Sequence, residues 1–277
     1  GVIFFIELIN IKYSYQIRSL ILLKLSKLIN KKGTHKMKKI LLMMMFSSIV
    51  FGQYHMQSSL SIKEGVKAAD FEKAMIHHNK AHQNELGAVN TFLVLNGPNV
   101  GQYVRMHQGL FPIPADQLDA IYNAHNNHAP VPYDKWNDSM LVQETGTQFY
   151  TVRGDLSYNV QYRPDYKYLT MSVWRVRQGG NDGAEKVFKM MNEIRAEMGS
   201  TDHFVCMQTN TGGNFNEYVF ATGHDTMSET LDQSEFYAAL AKLSEKNPDW
   251  DKEWASSVWN GYNQTMEFKP ELSTQLD

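Results

Sequence analysis

Apolar positions recur along this chain in two rhythms, every second residue in short runs and every third or fourth in longer ones, which predicts strands interleaved with helices. Residues 56–63 read as a first strand, Gly65 interrupts, and residues 67–83 carry an apolar stripe at helical spacing. Residues 92–95 and 103–105 read as a hairpin around the turn Asn96-Gly97-Pro98-Asn99. A polar helical stretch follows at 116–128, then a segment bearing Trp136, then the strand-like run 149–157. The same order returns. Residues 168–177 are rich in β-formers, Gly179-Gly180 breaks the chain, and 184–198 are helical. Residues 204–207 and 218–220 flank the turn-forming stretch 210–214, so the second hairpin is expected to be three residues longer than the first. Residues 232–245 are helical, and Trp250 and Trp254 precede a closing strand. Residues 149–157 match 265–273 at an offset of 116 and share a Leu-Ser ending. Elements recurring in this order indicate an internal duplication.

Each half has the order β-α-β-β-α-β of a ferredoxin-like unit, whose antiparallel sheet is covered by helices on one face. The other face is apolar, through Leu93, Leu95, Val173, Val205 and Met207, and needs a cover. Two units in one chain supply it for each other. On this element order, residues 54–277 resemble the dimeric α/β-barrel superfamily in a tandem-repeat form. The strings FEKAMIHHNKAH at 71–82 and LNGPNVGQYV at 95–104 are similar to uncharacterised secreted proteins of Bacteroidetes. The resemblance implies an α+β fold of two tandem ferredoxin-like β-α-β-β-α-β units with opposed antiparallel sheets around a cavity. The units are expected over 54–160 and 167–277, with Arg163-Pro164-Asp165 between them. The expected assembly is a monomer with an internal pseudo-dimer, or a homodimer. Function is implied only loosely, because the superfamily includes haem enzymes, cofactor-free monooxygenases and isomerases.

Composition changes the picture at the N-terminal end. Residues 1–36 contain no methionine and are built mainly from Ile, Leu, Lys, Asn, Tyr and Phe, as translated AT-rich upstream DNA would be, and are expected to be untranslated upstream sequence. Met37-Lys38-Lys39, the apolar run 40–51 and Gly52 have the order of a secretory signal peptide over 37–52. The run is short of the ~20 apolar residues of a membrane span. A secreted or periplasmic protein beginning at Gln53, with no membrane anchor after processing, is expected. The chain holds 27 Lys+Arg and 29 Asp+Glu, and residues 1–52 contain nine of the former and one of the latter, leaving the remainder near −10. Such a surface disfavours nucleic acid and anionic lipid. The single cysteine, Cys206, excludes an intramolecular disulfide and any CxxC motif.

Candidate chemistry centres on histidines. In the first long helix Ala68, Phe71, Ala74, Met75, His78 and His82 share one stripe; the second half has Ala184, Val187, Met191, Ile194 and Met198. At an offset of 116, His78 stands for Ile194 and His82 for Met198. Imidazoles four residues apart on a helix point the same way. They suit a metal or haem iron, or acid and base work near neutral pH; the alternative is a stripe end that reaches the surface. His125 and His128 extend the metal-ligand candidates, with Asp134 or Glu72, or complement a helix C-terminus. His107 and His224 hold matching places after the hairpin strands and, with Trp174, His78 and His82, are the ligand-binding candidates. Gly97, Gly101, Gly212 and Gly213 read as turn residues, since neither a GxxxxGK[ST] nor a GxGxxG run is present.

Two function classes remain. One is an exported barrel that binds a small apolar or aromatic molecule between its sheets. The other is a haem- or metal-dependent, or cofactor-free, oxidoreductase or isomerase, with His78 and His82 serving the iron or moving protons. A haem or a divalent metal fits the second and is not required by the first. A protein-interaction module with a filled interface would have no cavity.

Overall fold

The structure is a computed structural model describing residues 53–82, 89–127, 131, 133, 135–136, 141–160, 166–214 and 216–274. The upstream and signal-like segments (1–36 and 37–52), His128 and Asp134 lie outside the described residues, as do the side chains of His82 and His125. Residues 52–277 form one compact unit.

The first half contains β1 (Gln53–Ile62), α1 (Ala68–His78), β2 (Val89–Val94), β3 (Tyr103–His107), a two-residue β4 (Ile113–Pro114), α2 (Ala115–Asn126) and β5 (Leu141–Val152). The second contains β6 (Tyr168–Val176), α3 (Asn181–Met198), β7 (Val205–Thr211), β8 (Glu217–His224), α4 (Ser234–Lys246), α5 (Trp250–Ser257) and β9 (Val258–Phe268). Helix α1 is shorter than the apolar stripe predicts, because its last turn tightens into a 3-10 helix at Asn79–His82. The segment bearing Trp250 and Trp254 is itself a helix, α5.

Strand order within each half is the ferredoxin-like one: β2-β3-β1-β5 and β7-β8-β6-β9, all antiparallel. The two sheets face each other and also join at their edges, β2 to β9 and β5 to β7. Each sheet alone would leave two strands with unpaired N–H and C=O groups. Edge pairing satisfies them and closes an eight-stranded barrel, with β4 as a short extra partner of β1.

The registers reveal how the halves superpose. The pair Gln57↔Met106 falls on Met171↔Ala221, Tyr54↔Thr151 on Tyr168↔Glu267, and Phe92↔Val104 on Met207↔Val219. The seam pair Tyr150↔Thr209 falls on Met266↔Val94. Phe92 therefore matches Met207 rather than Phe204, and the two hairpins have equal length. The expected three-residue difference came from aligning phenylalanines instead of strand register. The last-strand offset of 116 is the one the registers require.

Side-chain alternation sorts the strand residues into two buried layers. Inside the barrel lie Phe92, Val94, Val104, Met106, Leu169, Met171, Val173, Val205, Met207, Val219, Ala221 and Met266. An eight-stranded barrel is just wide enough for side chains to fill it. Outside, α1 packs Phe71 and Met75 on Leu60 and Tyr103, and α2 packs Ile121 on Met56 and Ile113. Helix α3 sets Ala184 and Phe188 against Val176, Cys206 and Tyr218, and its Val187, Met191 and Ile194 meet α4. Each large apolar side chain so buried contributes about 1.5–3 kcal/mol. Leu93 turns outward to the α1 layer, whereas Val173, Val205 and Met207 face in.

Candidate functional site: an amide-lined cavity at one end of the barrel

Around an antiparallel ring, strand direction alternates, so the superposed strands β1 and β6 run the same way. The pseudo-two-fold axis thus follows the barrel axis, and the β2–β3 and β7–β8 hairpin tips share one end. Gly97 and Gly212 form those tips with φ of +86° and +80°. A Cβ there would lie 2.7 Å from the Asn263 carbonyl oxygen and 2.2 Å from that of Thr147, so glycine lets each tip press on the last strand of the opposite half.

Below the tips lies a cavity of about 330 Å3. Its lining repeats across the axis: Asn99 with Asn214, Gln148 with Gln264, Gln102 with Glu217. Gln57 Nε2 donates to Gln148 Oε1 and to the Tyr150 hydroxyl oxygen, both at 3.0 Å, and that hydroxyl donates to Gln148 Oε1 at 2.8 Å. Asn99 Nδ2 donates to Gln264 Oε1 at 3.1 Å. Arg175 Nε pairs with Glu217 Oε1 at 2.7 Å, and its guanidinium lies 5.9 Å from the Tyr262 ring centre. Burial, with Glu217 next, holds the phenols of Tyr150 and Tyr262 above their usual range. The described charges in the wall are one internally paired cation and anion, and the other polar groups are neutral amides and hydroxyls. Such a wall recognises hydrogen-bonding shape rather than net charge.

The symmetry breaks at the cavity floor. His55, Gln57, Tyr150 and Thr209 face the barrel interior where the positions related to them by the duplication are Leu169, Met171, Met266 and Val94. His55 is 1% exposed, and neither ring nitrogen has a hydrogen-bond partner. Burial lowers its pKa to about 4, so it is neutral at pH 7. Gln57 Oε1 and Thr209 Oγ1 are likewise buried without partners. Sequence reasoning missed His55 because the first strand was started at Met56. The signal was present: with Tyr54 set on Tyr168, His55 falls on Leu169.

The four described histidine and tryptophan candidates lie outside this lining. His78 is buried on α1 with its ring stacked on Trp136, centroids 5.5 Å apart. It belongs to a polar cluster in the outer layer, where Arg105 donates to Asn79 Oδ1 at 2.7 Å and its guanidinium lies 5.8 Å from the Trp136 ring centre. His107 is buried and turned, like Tyr103 and Arg105, toward the outer face. Trp174 packs edge-on against Trp254 at 5.0 Å in the α3 layer. His224 also faces outward, and burial, then the nearby His203, lowers its pKa. Among the described residues no three His, Cys, Asp or Glu side chains group as a metal site. The cavity does not fit an iron porphyrin either. Its described lining holds no histidine or cysteine, and its tyrosines are held protonated, which disfavours phenolate ligation.

A scan against models of known protein families finds no match, and neither does a search of curated proteins. Solved structures with a similar chain path include a putative monooxygenase from Fusobacterium nucleatum, at 12% identity and a TM-score of 0.49, over 79% of this chain and 93% of that one. A heme-binding protein from Thermus thermophilus is similar at 11% identity and a TM-score of 0.47, over 80% and 93%. Chlorite dismutase from Candidatus Nitrospira defluvii is similar at 9% identity and a TM-score of 0.48, again over 80% and 93%. These likenesses concern the path of the chain and carry no chemistry.

Proposed function

We propose that the protein binds a small, neutral, hydrogen-bonding molecule in the cavity at the hairpin end of its barrel. The observation that carries this reading is the lining itself: amide side chains converge from both halves on a space of about 330 Å3, the lower part of the volume range of small-molecule sites. A wholly apolar ligand, within the small apolar or aromatic class expected from the sequence, would offer those amides no hydrogen bond. A ring or chain bearing amide, carbonyl or hydroxyl groups would pair with them. The role is binding, since no nucleophile and base are placed together in the described wall. In the same reading, the signal-like segment 37–52 exports the protein, and the ligand is met outside the cytoplasm.

Titration with benzamide, nicotinamide, uracil and toluene, followed by thermal shift and by protein-detected NMR, tests the proposal. Binding of at least one amide-bearing probe, with shifts at the Gln148 and Gln264 side-chain amides and none from toluene, is the expected result. A probe at a hundred times its Kd adds about 2.7 kcal/mol to stability. Preference for toluene, or no response to any probe, overturns it.

A further inference from the structure

The floor of the barrel holds polar groups that packing alone does not explain. His55, Tyr150 and Thr209 stand side by side on β1, β5 and β7, since His55 pairs with Tyr150 and Tyr150 with Thr209 in the strand registers. Gln57 is the next inward residue of β1 and lines the cavity. Four atoms of this row, His55 Nδ1 and Nε2, Gln57 Oε1 and Thr209 Oγ1, are buried and unpaired. Leaving such groups unsatisfied is costly, and the same fold fills the equivalent positions with Leu169, Met171 and Val94. An apolar solution for this row therefore exists within the same chain. Gln57 and Tyr150 belong both to the cavity wall and to the row, so the unpaired atoms of His55 and Thr209 sit on strand neighbours of the cavity's lining residues.

We propose that His55, Gln57 and Thr209 form a second, deeper subsite, at the β5–β7 seam and not at the β9–β2 seam related to it by the duplication, that takes a hydroxyl or carbonyl at the inner end of the ligand. A hydroxyl suits it: an unprotonated imidazole nitrogen and Gln57 Oε1 accept, and Thr209 Oγ1 donates or accepts. The duplicated barrel then has one ligand orientation rather than two, because the matching positions, Leu169, Met171 and Val94, offer thioether and aliphatic carbon. This rests on the cavity being a ligand site, as proposed above, and names the polar end that the ligand carries.

The test compares 4-hydroxybenzamide with benzamide on the wild-type protein and on His55→Leu and Thr209→Val, each measured by isothermal titration and thermal melting. These substitutions introduce the residue types of the matching positions, Leu169 and Val94. The expected result is that the wild type binds 4-hydroxybenzamide about tenfold or more tightly than benzamide. Both variants keep benzamide binding and melt no lower than the wild type by more than a few degrees, but lose that preference. Benzamide binding with no advantage for the hydroxyl compound, or an advantage that survives both variants, overturns the subsite and leaves the cavity reading standing. Failure of both compounds to bind the wild type overturns the two together. Should His55→Leu not fold, the milder Thr209→Val reads the same preference.

Discussion

The buried imidazole of His55 makes a quantitative demand on stability. Its pKa falls from 6.5 to about 4 on folding because burial penalises the charged form. A folded-state value below the unfolded one means that the unfolded chain binds the proton more readily. The stabilising contribution is complete above pH 6.5 and is lost as the pH falls toward 4. Between pH 7 and 4 the loss is about 3 kcal/mol. Carboxylates held low by partners, such as Asp155 and Glu185 beside Arg153, add their own acid sensitivity at lower pH, so the difference between two proteins isolates His55. His55→Leu removes the titrating group and places leucine where the opposite half has Leu169. Urea unfolding followed by tryptophan fluorescence at pH 7 and pH 4 should show the wild type losing about 3 kcal/mol more than His55→Leu, a relative midpoint shift of about 1 M for an m-value near 3 kcal/mol/M. Equal pH dependence in the two proteins would refute the reasoning, since it would mean that the imidazole is hydrated or paired at no net cost.

Three other outcomes are expected, two from the structure and one from the proposed export. Gly212→Ala places a Cβ 2.2 Å from the Thr147 carbonyl oxygen at a φ of +80°, whereas Gly146, at +87°, has nothing within 4 Å; thermal melting should show about 2–4 kcal/mol lost for the first and about 1–2 for Gly146→Ala. Arg153 bonds Glu185 at 2.6 and 2.8 Å and Asp155 at 2.9 Å, so Arg153→Met should cost about 2 kcal/mol at pH 7. That loss should shrink in acid, because Arg153 holds both carboxyls below their usual range and protonating them removes the advantage; chemical denaturation at pH 7 and 3 checks this. Export with cleavage after Gly52 predicts a mature N-terminus at Gln53, read by mass spectrometry of secreted protein, and retention of Met37 at the N-terminus would refute it.

Element order and duplication were legible in the sequence because strand and helix periodicities are local, and because the run 149–157 is repeated at 265–273. The demand for a second sheet was legible too, since Val173, Val205 and Met207 could not all face water. What the tertiary structure decided was which buried side each residue takes. Strand β3 is buried throughout, with Val104 and Met106 in the barrel and Tyr103, Arg105 and His107 turned to the outer layer. A period of two separates the faces but does not label them when both are buried. His78 could be placed on the buried stripe of its helix, yet the layer it meets, outside the barrel against Trp136, depends on how helix and sheet pack. The cavity and its floor depend still more on distant pairing. His55 gains its meaning from Tyr150 and Thr209, brought beside it by the β1–β5 pairing and the β5–β7 seam. Hydrogen-bond registers between strands far apart in the chain set those neighbours, and local patterning carries no record of them.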